Sequence, residues 1–177
     1  FVYNPEFLRE KHADDDFINS KMIIFGGKES PARKLSDFYT NSLNCKNNNY
    51  VFTDPLSASF VKYIINSFLA TKVTFFNEFF ELFKSSEAKE DWSRLTEIIS
   101  IDDRIGKSHM DVPGHDGRHG FGGACLPKDS KAIVKYAEEM KVDLKVLKEV
   151  IKTNNKIRSS YNENTLREDE QNINYED

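Results

Sequence analysis

Cys125 is the residue around which chemistry can be built. It stands in Gly120-Phe121-Gly122-Gly123-Ala124-Cys125-Leu126-Pro127-Lys128-Asp129, a stretch with three glycines, one of the chain's two cysteines and an adjacent Lys-Asp pair. Glycines let the backbone take positive φ or lie close against a ligand. A proline just beyond opens a helix readily, because its missing N–H costs nothing in the first turn. A cysteine between such a loop and a helix start sits where a thiolate, and anions generally, are favoured. The expectation is a reactive thiol to which other residues are presented.

Four further groups supply polar chemistry. Glu6 and Glu10 lie four apart in Asn4-Pro5-Glu6-Phe7-Leu8-Arg9-Glu10, on one face if that segment is helical. Asn4-Pro5 marks a strand end, and strand ends of α/β sheets collect ligand sites. Lys62 and Asn66 stand at i and i+4 inside an apolar helical pattern and point the same way. Arg104 sits in Asp103-Arg104-Ile105-Gly106. His115 and His119 lie in a turn-rich loop, and two loop histidines without further ligands do not make a metal site. Each group also has an ordinary reading. Cys125 is a small buried hydrophobe, Lys62 a snorkelling surface lysine, Asn66 an interhelical hydrogen-bonder. Glu6 and Glu10 are then helix-start carboxylates, and Arg104 the partner of Asp102 or Asp103.

The elements that must position these residues read as follows. Phe1-Val2-Tyr3 is a short β-type run, and Asp14-Asp15-Asp16 a solvated turn. Met22-Ile23-Ile24-Phe25 is a buried strand closed by Gly26-Gly27. Ser30-Pro31 opens a helix, with serine as cap and proline at its first position. Tyr50-Val51-Phe52 is another strand. Residues 1–54 thus form the C-terminal part of an α/β domain. A helical pattern runs from Pro55 to Lys84, about 45 Å at 1.5 Å per residue. One stripe is Phe60, Ile64, Phe68, Phe75, Phe79 and Leu82; another is Val61, Ile65, Leu69, Phe76, Phe80 and Phe83. Apolar residues on most of the circumference predict burial on several sides and a subunit interface. Further helices are expected from Asp91-Trp92 to Ser100, at about 128–140 and at 144–158. Residues 55–160 make a helical domain, and 161–177, with six acids and one arginine, a disordered tail.

Composition narrows the class. The chain has 177 residues, 38% hydrophobic and 31% charged, which suits one domain or parts of two. A net charge of −4 argues against nucleic acid as the main partner. No apolar run reaches the roughly 18–20 residues of a membrane span. No secretory signal is visible. The first residue is Phe1, so a removed start or a piece of a longer protein is expected. Cys45 and Cys125, in dissimilar contexts 80 residues apart, fit reduced thiols in the cytoplasm better than a disulfide.

Taken together, the motifs at 4–10, Lys62 with Asn66, Asn77-Glu78, 103–106 and 120–129 resemble the UDP-glucose/GDP-mannose dehydrogenase family, in order and spacing, over residues 1–155. The resemblance implies the end of a Rossmann-like NAD-binding domain joined by a long helix to a helical dimerisation domain. No Gly-x-Gly-x-x-Gly strand-turn-helix occurs in these residues, so a separate NAD-binding part is implied. The implied activity is two-step, NAD-dependent oxidation of a nucleotide sugar, UDP-glucose first, to the uronate. Cys125 matches the nucleophile that forms a thiohemiacetal and then a thioester. Lys62 and Asn66 match the pair that stabilises oxyanion character and positions water. Asp129 and Glu6 match acid/base carboxylates. Glu10, Phe7, Leu8, Arg104, Phe121, Gly122 and Gly123 match substrate-lining positions, Arg104 commonly reaching the neighbouring subunit's site. Lys128 and Glu10 are assigned toward the cofactor. Two departures stand out: Lys11 where a glycine is common, and Ala58-Ser59 where Ala-Glu is common, which puts the tuning of Lys62 in doubt. A non-catalytic, dimerising homologue that binds nucleotide sugars is the alternative.

Overall fold

A computed structural model describes residues 1–8, 13–43 and 49–176. They fall into two compact units, Phe1–Ile65 and Asn66–Asp177.

The first unit carries a three-stranded sheet of order β1-β2-β3, from β1 (Val2–Tyr3), β2 (Ile23–Gly27) and β3 (Tyr50–Thr53). Strands β1 and β2 are antiparallel, with Val2 opposite Gly27. Strands β2 and β3 are parallel, with Ile23 opposite Tyr50 and Gly26 opposite Thr53. A parallel pair needs a crossover, and α2 (Glu29–Ser42) supplies it. Ile23, Phe25 and Ala32 form the buried core, walled by Leu35, Tyr39, Tyr50 and Phe52. Three details differ from expectation. Helix α2 starts at Glu29 with Lys28 as its cap residue, so Pro31 lies inside the first turn, where its missing N–H is still tolerated. Asp14–Asp16 lie in α1 (Ala13–Ile18), where acids in the first turn complement the helix dipole. Residues 4–8 are in no regular element, so the one-face reading of Glu6 and Glu10 fails for Glu6; Arg9, Glu10 and Lys11 lie outside the described residues.

Helix α3 runs from Pro55 to Lys84, as its pattern predicts. Asp54 opens it: its Oδ1 accepts from the amides of Leu56 (2.9 Å) and Ser57 (3.0 Å). The bond from the Ser57 hydroxyl is the main cause that holds its carboxyl below the usual range. Burial on several sides does not hold. Phe60, Ile64, Phe68, Phe75, Phe79 and Leu82 are exposed, whereas Ala70 and Phe76 are buried. One stripe serves the chain's own interior; the other faces outward.

The second unit is helical: α4 (Trp92–Ile99), α5 (Cys125–Glu139), α6 (Lys145–Arg158) and α7 (Leu166–Glu170), with the second half of α3. Its core is Ala70, Phe121, Leu147 and Val150, with Val73, Leu126, Ile133 and Ile151 around them. The expected disordered tail is a correction. Thr165 and Glu168 make a reciprocal capping box that starts α7. Glu168, Ile173 and Tyr175 are buried. A count of acids could not show that one of them is neutralised inside the protein.

Candidate active site

Cys125 is the first residue of α5, and its side chain is exposed and free. The ordinary reading of a buried thiol is thereby excluded. Cys45 lies outside the described residues. Asp129, one turn further along α5, falls on the same face as Cys125. It is only 1% exposed. A buried carboxylate requires partners. Its Oδ2 accepts from Asn66 Nδ2 at 2.6 Å, and its Oδ1 from Lys128 Nζ at 2.6 Å. Three residues expected from the sequence are therefore joined directly: Asn66 from α3, and Lys128 and Asp129 from α5. Lys62 is one turn before Asn66 in the same helix. Lys62 and Glu6 belong to the first unit; Asn66, Arg104, Cys125, Lys128 and Asp129 belong to the second. Glu6 is exposed, and Phe7 and Leu8 are half-buried. The stretch is anchored through Asn4, whose Nδ2 donates to the Ile24 carbonyl at 2.8 Å and whose Oδ1 accepts from the Tyr39 hydroxyl at 2.7 Å.

The glycine loop is built differently from its sequence reading. Phe121 is not an open lining residue: its side chain is in the core. Its N–H donates to Asn154 Oδ1 (2.6 Å) and its carbonyl accepts from Asn154 Nδ2 (2.9 Å). Gly120 has φ +75°, and its N–H donates to Asn77 Oδ1 at 2.9 Å. A Cβ there would stand 2.6 Å from Asn154 Oδ1. A Cβ on Gly122 would overlap Arg158 Nη2 and come within 2.5 Å of Glu168 Oε1. Both glycines are thus required by the chain's own packing.

Behind the loop lies a buried ionic cluster. Arg158 Nη2 bonds Glu168 Oε1 at 2.6 Å with both side chains fully buried, and Arg158 Nη1 bonds Asp116 Oδ2 at 2.8 Å. Glu168 Oε1 also accepts from the Tyr175 hydroxyl (2.5 Å) and the Gly123 amide (3.3 Å), and Oε2 from the Thr165 amide (2.7 Å). Burial acts to raise the Glu168 pKa, but the Tyr175 and Thr165 hydrogen bonds and the Arg158 charge outweigh it and hold it at about 2. Burial and the Glu168 bond push the Tyr175 phenol well above its ordinary value. Sequence reasoning missed Arg158 and Glu168. Their one signal was an Arg at a helix end with acids downstream, which usually means surface.

Arg104 forms a two-pronged pair with Asp102: Nε to Oδ1 at 2.9 Å and Nη2 to Oδ2 at 2.5 Å. Its side chain is 87% exposed. The pair with Asp102 forms as the ordinary reading expected, and the guanidinium is still solvent-accessible. The loop beyond it is held by Lys72, missed in the sequence. Lys72 is buried, and its Nζ donates to the carbonyls of Ile105 (2.9 Å), Gly106 (3.1 Å) and Ser108 (2.5 Å). Its burial lowers its pKa. Among the described residues no three His, Cys, Asp or Glu group to hold a metal, and no helix is long and apolar enough to cross a membrane.

Comparison with known proteins bears on this geometry. The central domain of the UDP-glucose/GDP-mannose dehydrogenase family matches residues 56–156. A UDP-glucose 6-dehydrogenase of Rickettsia prowazekii is 38% identical over 159 residues, 89% of this chain and 34% of that protein. One of Rickettsia typhi is 35% identical over 151 residues, 85% of this chain and 33% of that protein. The solved UDP-glucose dehydrogenase of Pyrobaculum islandicum superposes with a TM-score of 0.72 at 34% identity, covering 86% of this chain and 33% of its own. The chain spans about a third of the length of the curated relatives it matches.

Proposed function

The chain belongs to the UDP-glucose/GDP-mannose dehydrogenase family, and on that premise we propose that it is the thioester-forming part of an NAD-dependent nucleotide-sugar 6-dehydrogenase, with UDP-glucose as substrate and UDP-glucuronate as product. The observation that carries this is the exposed Cys125 at the start of α5, with Asp129 buried one turn on and bonded to Asn66 and Lys128.

In this reading the C6 alcohol is first oxidised to an aldehyde, losing a hydride and giving its hydroxyl proton to a carboxylate. The Cys125 thiol gives its proton to a base, and the sulfur adds to the aldehyde carbon, giving a thiohemiacetal whose oxygen is an alkoxide. Asn66 and Lys62, one turn apart, present an amide donor and a cation to that oxygen. The second oxidation turns the thiohemiacetal into a thioester. Water adds to the thioester carbon, its proton passes to a carboxylate, and the Cys125 thiolate leaves with the uronate freed. Asp129 and Glu6 are the carboxylates assigned to proton transfer. Asp129 is held in place by two donors, Asn66 and Lys128. When bound, NAD+ would supply the acceptor for both hydrides. Lys128 is assigned toward it, and its ammonium here rests on Asp129. Glu10, assigned to substrate and cofactor, stays part of the proposal from the sequence alone, as do Phe7 and Leu8.

The sheet of residues 1–54 is read as the end of the Rossmann-like domain. The exposed stripe of α3 is read as the face that meets a second copy. There Arg104 reaches the neighbouring site after exchanging Asp102 for the nucleotide sugar. A reduced, cytoplasmic setting keeps Cys125 a thiol. The test is NADH formation from UDP-glucose, with and without an added NAD-binding part. Turnover supports the reading; no turnover in either case with the fold intact overturns it, and leaves the non-catalytic, sugar-binding homologue.

A further inference from the structure

The cysteine loop is held from beyond the part of the chain that carries the family match. That match ends at residue 156. Glu168, on α7, lies beyond it, with its carboxylate fully buried. Oxygen Oε1 takes the Gly123 amide, two residues before Cys125, and also the Tyr175 hydroxyl and Arg158 Nη2. Oε2 fixes the amide of Thr165, the cap of its own helix. The Arg158–Glu168 pair stands directly behind Gly122, leaving no room for a Cβ. Arg118 bridges the same segments, donating from Nη1 to the Glu163 carbonyl at 2.6 Å. The His119 amide donates to the Tyr161 hydroxyl at 2.8 Å.

We propose that residues 161–176 are a strap that positions the nucleophile loop, with Glu168 as its positioning residue. The function rests on the dehydrogenase reading of Cys125; the physical coupling does not. A carboxylate with this many donors has one low-energy placement, since leaving any buried donor unmet is costly. The Gly123 amide is therefore as ordered as the α7 segment. Removing the strap frees the turn that delivers Cys125 while the Ala70–Leu147–Val150 core stays packed.

The test is amide-resolved hydrogen exchange on the full chain, with Ala70 as internal reference. Glu168→Gln removes the charge and weakens the acceptor. Tyr175→Phe removes one hydrogen bond and is the milder variant should the first not fold. Exchange at Gly123 is expected to rise about threefold in Tyr175→Phe with Ala70 within a factor of about two, and in Glu168→Gln to rise about tenfold more than at Ala70. In the turnover assay kcat falls, because the turn that delivers Cys125 is loosened. Faster exchange at Gly123 alone supports the strap whether or not the chain oxidises a nucleotide sugar. Unchanged exchange at Gly123, or an equal rise at Ala70, overturns it and leaves Glu168 as a fold-stabilising residue only.

Discussion

Arg104 and Arg158 each pair with a carboxylate at nearly the same distance, in opposite surroundings. Each guanidinium meets a carboxylate, at 2.5 Å for Asp102 and 2.6 Å for Glu168. The Arg104 pair lies in water, where an ion pair contributes little to stability. The Arg158 pair has no exposed side-chain surface. Its charges lost their hydration on folding and are compensated by each other and by Asp116, Arg118, the His119 carbonyl, Tyr175, Thr165 and Gly123. Such a pair need not add net stability, but deleting one partner leaves the other charge buried with its main counter-charge gone. Contact distance does not separate the two arginines; burial does. One is available to a ligand and the other is committed to shape.

Breaking the buried pair is expected to have the largest effect. Arg158→Met should cost about 3–5 kcal/mol in urea unfolding, whereas Arg104→Ala should leave the midpoint essentially unmoved. A loss under about 1 kcal/mol for Arg158→Met would erase the contrast.

Next comes Lys72→Met, which strands the carbonyls of Ile105, Gly106 and Ser108. Roughly 2 kcal/mol is expected. Lys72→Arg should recover part of it if donors, not volume, are what matters.

The pH dependence of stability sharpens the contrast further. Glu168 is held at about 2 against an ordinary 4.5. Its folded pKa is depressed, so its contribution is complete above about pH 4.5 and is lost as pH falls toward 2. The Tyr175 phenol is raised, so its contribution is complete below about pH 10 and fades above. In Glu168→Gln the acid limb between 4.5 and 2 should flatten; an unaltered limb would show that other carboxylates set it.

The smallest effect on folding is expected on the outer stripe of α3. Phe68→Ser and Phe75→Ser should change unfolding by about 0.5 kcal/mol or less, since both side chains are exposed. Light scattering should nevertheless show loss of a dimer. A parent chain that scatters as a monomer would sink the interface.

The sequence was most informative where one residue type at one spacing has few alternatives. Helix α3 was legible to its end residues because a period near 3.6 over thirty positions has no competing reading. Cys125 was legible because glycines, proline and a Lys-Asp pair crowd around it. The Asn66–Asp129 bond was legible only in part: resemblance placed both residues in one site, but their pairing spans 63 positions. The clamps on the loop were not legible at all. Asn154, Arg158 and Glu168 are polar residues whose neighbours along the chain look like solvated helix faces, and Asn77, though part of a family motif, gave no sign that it binds the Gly120 amide. Only the fold shows that each points inward, toward a backbone that needs a partner. The acidic tail misled for the same reason: a carboxylate that neutralises a buried arginine has the same letter as one in water.

The nucleophilic role of Cys125 is the central claim, and one comparison tests it most directly. Parent and Cys125→Ala, each with the added NAD-binding part, are assayed side by side for UDP-glucuronate from UDP-glucose and NAD+, product being measured by mass, with hydrogen exchange at Ala70 as the check on folding. Loss of at least about a thousandfold in uronate, with Ala70 exchange unaltered, is the expected result. Uronate formed by Cys125→Ala at the parent's rate would contradict it.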